Sequence, residues 1–292
     1  MRRATGKDAR DAVVNLFDGS SPLHGDLTST LSLTGDLLDT IMASPSIQLD
    51  FQLGCTGKFD YECPEWDHVI QLFLCCGDET QCSACPQLIW SERNATFSSI
   101  EEDQTEERCG PEVGRWMTPF RRARGRWLTD VTALRGAFAG QLARNAPEKC
   151  VFRMRSMTWA ATGDHYWLPR LDLRIGLPPA VKKGGPPSFP TIFPLFGSRT
   201  FDKHFNDRKP YVFVTPREGL VFAKIRALIT GHGFDDFGCA EFCAGISNIF
   251  DVNGIEYRLD FDGAGTQLGC TDQVSKGSIP NEHGTWFYGR NG

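Results

Sequence analysis

One carboxylate stands between two cysteines in the segment Cys239-Ala-Glu-Phe-Cys243, which follows a glycine-punctuated loop. If the two cysteines bond, they close a very small ring and remove most of the backbone freedom around Glu241. A site that holds a reacting group needs side chains fixed this firmly, because small displacements are costly to catalysis. A disulfide-tightened surface turn with an incidental glutamate explains the same spacing, so both interpretations stay open.

A second candidate carboxylate, Asp67, closes the segment Cys63-Pro-Glu-Trp-Asp67, which follows Cys55 by a short loop. An alternating apolar stretch begins directly after it. A carboxylate at the start of a β-strand, beside a tryptophan and behind a disulfide, is fixed and partly desolvated. Those conditions raise a carboxyl pKa and suit general acid–base work. The alternative is a turn at the start of a strand, in which Asp67 only bonds the backbone.

The end of the chain is aromatic and contains a single arginine. Trp286, Phe287 and Tyr288 are able to stack on the faces of sugar rings, and Arg290 is able to hold a carbonyl or hydroxyl oxygen. A core strand that ends at an exposed arginine is the alternative interpretation.

Other types of site lack motif support. The six histidines are scattered, without HxH or HExxH spacing, which argues against a copper oxygenase or a zinc protease. GxSxG, Walker and GxGxxG motifs are absent from the sequence, so serine-hydrolase and nucleotide chemistry are not indicated. The net charge is −5 and the basic residues form only short runs. Nucleic acid is therefore not an expected partner.

Eleven cysteines in 292 residues are typical of an oxidising compartment. Cys75, Cys76, Cys82 and Cys85 have the spacing to supply thiolates for zinc, but disulfides across this part of the chain are the favoured use. No segment approaches the roughly 20 apolar residues of a membrane span, and the amino terminus has no apolar signal core. The expected location is extracellular or secretory/lumenal, for a chain given without its leader.

Short alternating stretches separated by Gly, Pro, Asn and Asp predict an all-β protein. The period-two pattern is seen in residues 47–53, 68–74, 152–159 and 220–230. Many short strands over two domain lengths fit sandwiches or jelly rolls. Residues 131–142 have irregularly spaced apolar positions and are predicted to form a short helix or turn at most.

A Pro/Gly-rich linker, residues 178–190, predicts two domains. The first, residues 13–177, has enough chain for a complete sandwich and contains a cysteine-rich insertion at 75–110. The second, residues 191–292, is short for a sandwich.

Several short segments resemble the peptide-N-glycosidase F family of N-glycan amidases, in family order and over nearly the whole chain. The matching segments are Val14-Asn-Leu-Phe-Asp18, Cys63-Pro-Glu-Trp-Asp67, Met117-Thr-Pro119, Asp130-Val-Thr132, Thr158-Trp159, Ile229-Thr-Gly231, Cys239-Ala-Glu-Phe-Cys243, Leu268-Gly-Cys270 and Gly289-Arg290. The order and separation of the two carboxylate segments make the match specific. The resemblance implies two tandem eight-stranded antiparallel jelly rolls, with the site at their interface.

The resemblance also implies a reaction: hydrolysis of the amide that links an asparagine side chain to the first N-acetylglucosamine. The asparagine becomes aspartate and the glycan leaves as a glycosylamine. Asp67 matches the principal catalytic aspartate, Glu241 a supporting glutamate and Arg290 a functional arginine. The pairs Cys55–Cys63 and Cys239–Cys243 match family disulfides. No metal or other cofactor is implied, and the expected partners are N-linked glycoproteins or glycopeptides, bound by a monomer.

The predicted substrate-binding residues depart from the family pattern at three positions. The family has a glutamate two residues before the tryptophan that matches Trp159; this chain has Met157, and strand alternation puts both residues on one face. His68 stands in place of an arginine and His232 in place of a tryptophan, so the sugar contacts differ. Trp66 completes the set. The main alternative is a catalytically inactive glycan-binding protein of the same fold, which has lost turnover through Met157.

The chain ends at Gly292, where the family continues with a Trp-Cys pair and several more strands. The expectation is an incomplete second jelly roll, in which Cys270 lacks its bonding partner. Open strand edges and unburied apolar surface would then make the protein poorly stable or prone to aggregate. A copper monooxygenase on a related double jelly roll is a weaker alternative, against which the histidine spacing argues.

Overall fold

The computed structural model describes residues 11–23, 25–33, 35–59, 62–64, 68–76, 82, 90–91, 96–97, 109–118, 125–139, 149–156, 165–177, 195, 224–227 and 247–260. In chain order the strands are β1 (Ala12–Asp18), β2 (Gly25–Ser32), β3 (Ile47–Cys55), β4 (Val69–Cys76), β5 (Trp90–Ser91), β6 (Thr96–Phe97), β7 (Glu112–Met117), β8 (Gly125–Asp130), β9 (Lys149–Ser156), β10 (Trp167–Ile175), β11 (Ser247–Val252) and β12 (Ile255–Asp260). The helices are α1 (Gly35–Ala43) and α2 (Arg135–Ala139), with a 3-10 turn (Thr132–Leu134) before α2. The all-β prediction is confirmed.

Eight of these strands form two four-stranded antiparallel sheets. Sheet 1 has the order β1-β10-β3-β8, and sheet 2 has the order β2-β9-β4-β7. The chain crosses from one sheet to the other between β1 and β2, β2 and β3, β3 and β4, β7 and β8, β8 and β9, and β9 and β10. Two facing four-stranded antiparallel sheets agree with the predicted sandwich, and the jelly-roll topology remains a prediction. In the second half the described regular structure is the β11–β12 hairpin, so the second jelly roll remains a prediction.

The two sheets face each other across an apolar core. Phe51 of sheet 1 stacks on Trp116 of sheet 2, with 4.4 Å between the ring centroids. Across the same gap, Trp116 Nε1 donates a hydrogen bond to Thr129 Oγ1 at 3.1 Å, so the buried indole N–H has a partner. Leu49 and Leu72, at alternating inward positions, are fully buried. This is the period-two burial predicted for β3 and β4.

Four connections leave one end of the sandwich, which we call the motif end. There β1, β3, β7 and β9 end, and β2, β4, β8 and β10 begin. The register places Cys55 opposite Trp167 in sheet 1 and Ile70 opposite Ser156 in sheet 2. Because the strands are antiparallel, segments far apart in sequence meet at this end. We call the opposite end, where the chain runs through α1 and α2, the far end.

Disulfides fasten sheet 2 at the far end. Cys76, the last residue of β4, is bonded to Cys150, its register partner on β9. Cys75 is bonded to Cys82 within the cysteine-rich insertion. The favoured prediction of disulfides is confirmed for these cysteines. The zinc alternative is wrong for Cys75, Cys76 and Cys82, because a disulfide sulfur is not a thiolate ligand.

The helical segments follow the sequence pattern only in part. The 3-10 turn and α2 agree with the short helix predicted within residues 131–142. Period-two alternation does not predict α1, although its buried residues Leu38, Ile41 and Met42 have helical spacing. A nine-residue helix is marginal in isolation, so α1 depends on packing against the sandwich. Within the described ranges, no helix has the length and apolar character needed to cross a membrane.

One predicted strand is wrong over its described residues. The alternation of residues 220–230 predicts a strand, but residues 224–227 adopt no regular structure. Ile225, which the pattern assigns to a core, is 44% exposed. Arg226 is partly buried and interacts electrostatically with Asp130. The alternation misleads here because the charged residue, and not the apolar one, takes the buried position.

Candidate functional site

Three connections leave the sandwich at the motif end and carry family-like segments; two of them also carry predicted site residues. We call them the motif-bearing connections. The β3–β4 connection contains Asp67, the β7–β8 connection begins at Thr118, and the β9–β10 connection contains Met157. β4 begins beside the end of β9, since Ile70 pairs with Ser156. The antiparallel register therefore brings two connections to the same end of sheet 2. One contains Asp67, the predicted base, and the other contains Met157, where the family has a glutamate.

Most of the predicted site residues lie outside the described residues. These are the catalytic set Asp67, Glu241 and Arg290, the substrate-binding residues Trp66, Met157, Trp159 and His232, and the pair Cys239–Cys243. Their roles, and a site at an interface between two domains, remain predictions.

A disulfide closes the first part of the β3–β4 connection. Cys55, the last residue of β3, is bonded to Cys63, as the resemblance implies, with 5.6 Å between their Cα atoms. Inside this ring the Glu62 carboxylate accepts backbone hydrogen bonds from Lys58 and Phe59, at 2.6 and 3.1 Å. The backbone N–H of Glu62 in turn donates to the Phe59 carbonyl at 3.0 Å. The segment that leads to the predicted catalytic aspartate is thus fixed on its N-terminal side.

Two threonine hydroxyls tie the β3–β4 connection to its neighbours. At its end, Thr118 Oγ1 accepts the His68 backbone N–H at 2.7 Å, and the Thr118 N–H donates to the His68 carbonyl at 2.8 Å. At its start, Thr56 Oγ1 accepts the Tyr166 N–H at 2.9 Å, and the Thr56 N–H donates to the Tyr166 carbonyl at 2.9 Å. These bonds link the three motif-bearing connections. Thr118 directly follows β7 and Thr56 directly follows β3. The alternation did not predict a strand before Thr118, and a threonine alone does not name its partner.

His68 is the one predicted substrate-binding residue that the structure describes. It lies directly before β4, and its backbone continues the pairing of β4 with β7 by one residue. Its side chain is buried, with 8% of the residue exposed, so little of the imidazole is open to a ligand. The described geometry gives His68 a part in fixing the backbone next to Asp67, and its sugar contact remains a prediction.

The family-like segment Asp130-Val-Thr132 serves the fold at the far end. Thr132 Oγ1 accepts the Ile47 N–H at 2.9 Å, and the Thr132 N–H donates to Asp130 Oδ1 at 2.8 Å. Burial acts to raise the pKa of Asp130, but the hydrogen bonds from Thr132 and the positive charges of Arg226 and Lys224 outweigh it. The pKa of Asp130 therefore lies below its ordinary value. This carboxylate is a structural anion and not a candidate base.

The outer face of sheet 1 carries a buried carboxylate that alternation does not predict. Asp50 is 1% exposed, and it accepts hydrogen bonds from Arg126 Nε and Nη2 at 2.9 and 2.8 Å. Arg174 forms a second ion pair with it. The bond from Arg126 lowers the pKa of Asp50 most strongly, and together with Arg174 it outweighs the effect of burial. Two arginines thus neutralise Asp50, which makes it an element of the fold.

The outer face of sheet 2 has a comparable buried cluster. Asp26 accepts hydrogen bonds from Arg155 at 2.7 and 2.9 Å and from Arg153 at 3.1 Å. The side chains of Asp26 and Arg155 are only 3% and 4% exposed. Because buried charges are stable only when paired and hydrogen-bonded, this cluster fastens the edge strand β2 to β9.

A shallow hollow of about 290 Å³ lies between β1 and β2, beside the motif end. Asp18, Ser20 and Thr28 are among its polar lining residues, and none of the predicted site residues lines it. Hydrogen bonds from the Ser20 side chain and backbone hold the pKa of Asp18 below its ordinary value, so Asp18 is a weak base. In the part of the chain that the structure describes, no group of three His, Cys, Asp or Glu side chains is arranged to hold a metal ion.

Two sequence models of one family match the chain. The model described as "Peptide-N-glycosidase F, N terminal" matches residues 32–175, and the one described as "Peptide-N-glycosidase F, C terminal" matches residues 200–292. Together the two matches cover most of the chain. A comparison with curated protein sequences gave no match.

Three solved structures are similar to the chain at 16% sequence identity. A peptide-N(4)-(N-acetyl-beta-D-glucosaminyl) asparagine amidase aligns with a TM-score of 0.32 over 58% of this chain and 43% of its own. A recombinant peptide:N-glycanase F aligns with a TM-score of 0.32 over 57% and 43%. PNGase F from Flavobacterium meningosepticum, described as a glycosylasparaginase, aligns with a TM-score of 0.41 over 97% and 81%. The alignments with the first two therefore span less than half of those chains. On the strength of the two sequence models, the chain belongs to the peptide-N-glycosidase F family.

Proposed function

We propose that this protein hydrolyses the amide bond between asparagine and the first N-acetylglucosamine of N-linked glycans. The products are aspartate in the polypeptide and a glycosylamine. The observation that carries the proposal is that both family models match, in order, in the two halves of the chain. The meeting of three motif-bearing connections at the motif end supports it, because a cleavage site needs groups brought together from several segments.

In the proposed reaction Asp67 acts as the general base that activates water for attack on the amide carbonyl. Glu241 supports it, and Arg290 stabilises negative charge that develops on the carbonyl oxygen. Carboxylates and an arginine are sufficient for such a step, so the proposal includes no cofactor. The Cys55–Cys63 disulfide holds the connection that contains the base, which reduces the freedom lost when substrate binds.

The second candidate function is glycan binding without turnover. It is favoured by one sequence feature, Met157 in the position where the family has a glutamate. A thioether has neither the charge nor the strong hydrogen-bonding capacity of a carboxylate. A chain without that carboxylate retains aromatic surface for sugars but loses a polar contact to the reacting group.

A direct test incubates the 292-residue chain with a denatured N-glycoprotein in H₂¹⁸O and follows the peptides by mass spectrometry. The amidase reaction converts glycosylated asparagine into ¹⁸O-labelled aspartate. Retained binding of a glycopeptide without conversion would support the second candidate and refute the first.

Variants assign the roles. Asp67→Asn is expected to lower kcat by about 10²–10⁴-fold, the usual contribution of a general base. Met157→Glu is expected to increase kcat, because it restores the family carboxylate. Asp18→Asn is the matched control, an exposed aspartate at the same end of the sandwich, and it should leave kcat unchanged. Unchanged activity in Asp67→Asn would contradict the mechanism.

We further propose that the protein acts on N-linked glycoproteins in an extracellular or secretory/lumenal compartment, as a monomer. The disulfides Cys55–Cys63, Cys75–Cys82 and Cys76–Cys150 support the compartment, since such bonds persist in oxidising surroundings. Light scattering of the purified chain tests the monomer.

A further inference from the structure

We propose that Thr118 is a positioning residue for Asp67, and that it acts through the peptide bond between Asp67 and His68. This inference rests on the proposed function, because it takes Asp67 to be the general base. It adds a residue that touches neither the substrate nor the reacting atoms.

The contact between Thr118 and His68 is reciprocal and buried. Thr118 Oγ1 accepts the His68 N–H at 2.7 Å, and the Thr118 N–H donates to the His68 carbonyl at 2.8 Å. Thr118 is 1% exposed and His68 is 8% exposed, so bulk water does not compete for these bonds. The neighbouring pair in the regular β4–β7 ladder is Val69 with Met117. The threonine hydroxyl thus extends the β4–β7 pairing up to the peptide bond that follows Asp67.

The atom that Thr118 holds belongs to the peptide unit of Asp67. The His68 N–H lies in the same rigid plane as the Cα and carbonyl group of Asp67, because the peptide bond is planar. Fixing that N–H fixes the plane and, with it, the position of the Asp67 Cα atom. The side chain of Asp67 can then change direction only by rotation about its Cα–C bond, which also moves the residues before it. The direction of the Asp67 side chain depends on this backbone angle.

A second anchor makes the hydroxyl more important. Cys63 is 3% exposed and is held by its disulfide to Cys55. Only residues 64–67 lie between Cys63 and His68. With both ends of this short span held, the backbone at Asp67 has few alternative paths. Without the Thr118 hydroxyl, the His68 N–H loses its hydrogen bond, and the span that contains Asp67 is held less firmly on its C-terminal side. A displacement of a catalytic group by about 1 Å can lower the rate about 10²-fold.

The chain offers a matched control at the far end. Thr132 Oγ1 accepts the Ile47 N–H at 2.9 Å, and the neighbouring Val131 N–H donates to the Ile47 carbonyl at 2.8 Å. The same chemistry therefore pins a strand end in both places, but Thr132 lies at the opposite end of the sandwich from the β3–β4 connection. A general loss of stability would appear in both variants, whereas a positioning effect would appear only at Thr118.

The experiment compares Thr118→Val, Thr118→Ser and Thr132→Val in the 292-residue chain with wild type. Valine keeps the shape of threonine and removes the acceptor, and serine keeps the acceptor. Glycopeptide cleavage gives kcat and KM, and a ¹³C NMR titration of the Asp67 carboxyl reports its environment without requiring turnover. All measurements are made at a temperature where circular dichroism shows each variant folded.

We expect Thr118→Val to lower kcat about tenfold or more with little change in KM, and to shift the Asp67 titration. Thr118→Ser should recover most of the activity, and Thr132→Val should match wild type in both measurements. Equal kcat in the two valine variants, or a serine variant as impaired as Thr118→Val, would overturn the inference. If the wild type converts no asparagine, the proposed function fails, and the Asp67 titration alone decides the inference. If Thr118→Val does not fold, the serine variant decides: a displaced Asp67 signal despite the retained hydroxyl refutes the role.

Discussion

Two disulfides lie at opposite ends of the sandwich, and their effects on stability and on activity should rank in opposite order. The far-end bond should matter more for stability, and the motif-end bond more for activity. Cys55–Cys63 closes a sequence separation of 8 residues at the motif end, and Cys76–Cys150 closes a separation of 74 residues at the far end. The perturbation is to replace each pair by alanines, Cys55→Ala/Cys63→Ala in one variant and Cys76→Ala/Cys150→Ala in the other. Alanine is suitable because Cys63 and Cys150 are buried, and a serine hydroxyl there would need a partner.

The loop lengths set the expected loss of stability. In the chain-entropy description, a disulfide lowers the entropy of the unfolded chain by an amount that grows with the logarithm of the loop length. With the separation of 74, removal of Cys76–Cys150 should cost about 4.5 kcal/mol. With the separation of 8, removal of Cys55–Cys63 should cost about 2.5 kcal/mol. The far-end variant is therefore expected to be the less stable one by about 2 kcal/mol.

The order for activity should be reversed. The motif-end disulfide limits the backbone that leads to Asp67, so its loss should lower kcat by about 10²-fold through a misplaced base. The far-end disulfide joins β4 and β9 at the end opposite the motif-bearing connections. Its loss should leave kcat nearly unchanged wherever the protein is folded.

Two assays on the same preparations test this reversal. Urea unfolding followed by tryptophan fluorescence gives the free energies of unfolding, and mass spectrometry of a glycopeptide gives kcat at low urea and low temperature. A motif-end variant that is less stable than the far-end variant would refute the loop-length reasoning. Equal losses of kcat in the two variants would refute a local role for the Cys55–Cys63 ring. The stability comparison stands whether or not the chain is an active amidase.

Two further predictions concern the charged outer faces of the sheets. Because its arginines lower the pKa of Asp50, the stability that Asp50 contributes is present above the ordinary carboxyl pKa of about 4 and is lost as the pH falls through the lower folded value. Urea midpoints at pH 6 and pH 3 should therefore differ less in Asp50→Asn than in wild type, and an equal difference would count against the ion pair. Asp26→Asn should cost about 3–5 kcal/mol in the same unfolding assay, because it leaves the buried Arg155 without its carboxylate. A loss under about 1 kcal/mol would show that water reaches these arginines, as at a surface pair.

Much of the sandwich could be predicted from local sequence pattern. In β3 and β4, apolar and polar residues alternate, and the structure buries the apolar set on the inward face. The same pattern failed where a charge took the buried position. Asp50 is buried on an outward face because two arginines reach it from β8 and β10, and their approach depends on strands distant in sequence. The strand prediction for residues 224–227 is wrong for a related reason: the charged Arg226 is the partly buried residue, and it interacts with Asp130.

For the candidate site too, some features could be predicted from the sequence and others only from the tertiary structure. Residue type and spacing made Asp67, Glu241 and Arg290 candidates for amide chemistry, and their roles remain predictions. The family resemblance implied the Cys55–Cys63 bond, which the structure contains. No local pattern could show that the Thr118 hydroxyl would bond the peptide unit next to Asp67. The two segments are about fifty positions apart, and their contact follows from the pairing of β4 with β7.

By itself, the sequence determined the strand-rich fold class, the family and the residue types available for amide chemistry. These are properties of short segments, in which alternation and motif spacing are read directly. The tertiary structure decided the strand order, the pairing of Cys76 with Cys150 and the meeting of three motif-bearing connections at one end of the sandwich. The physical reason is that backbone hydrogen bonds join any two extended segments, so local pattern does not select the partner. That choice is made when all eight strands bury their apolar faces in one common core.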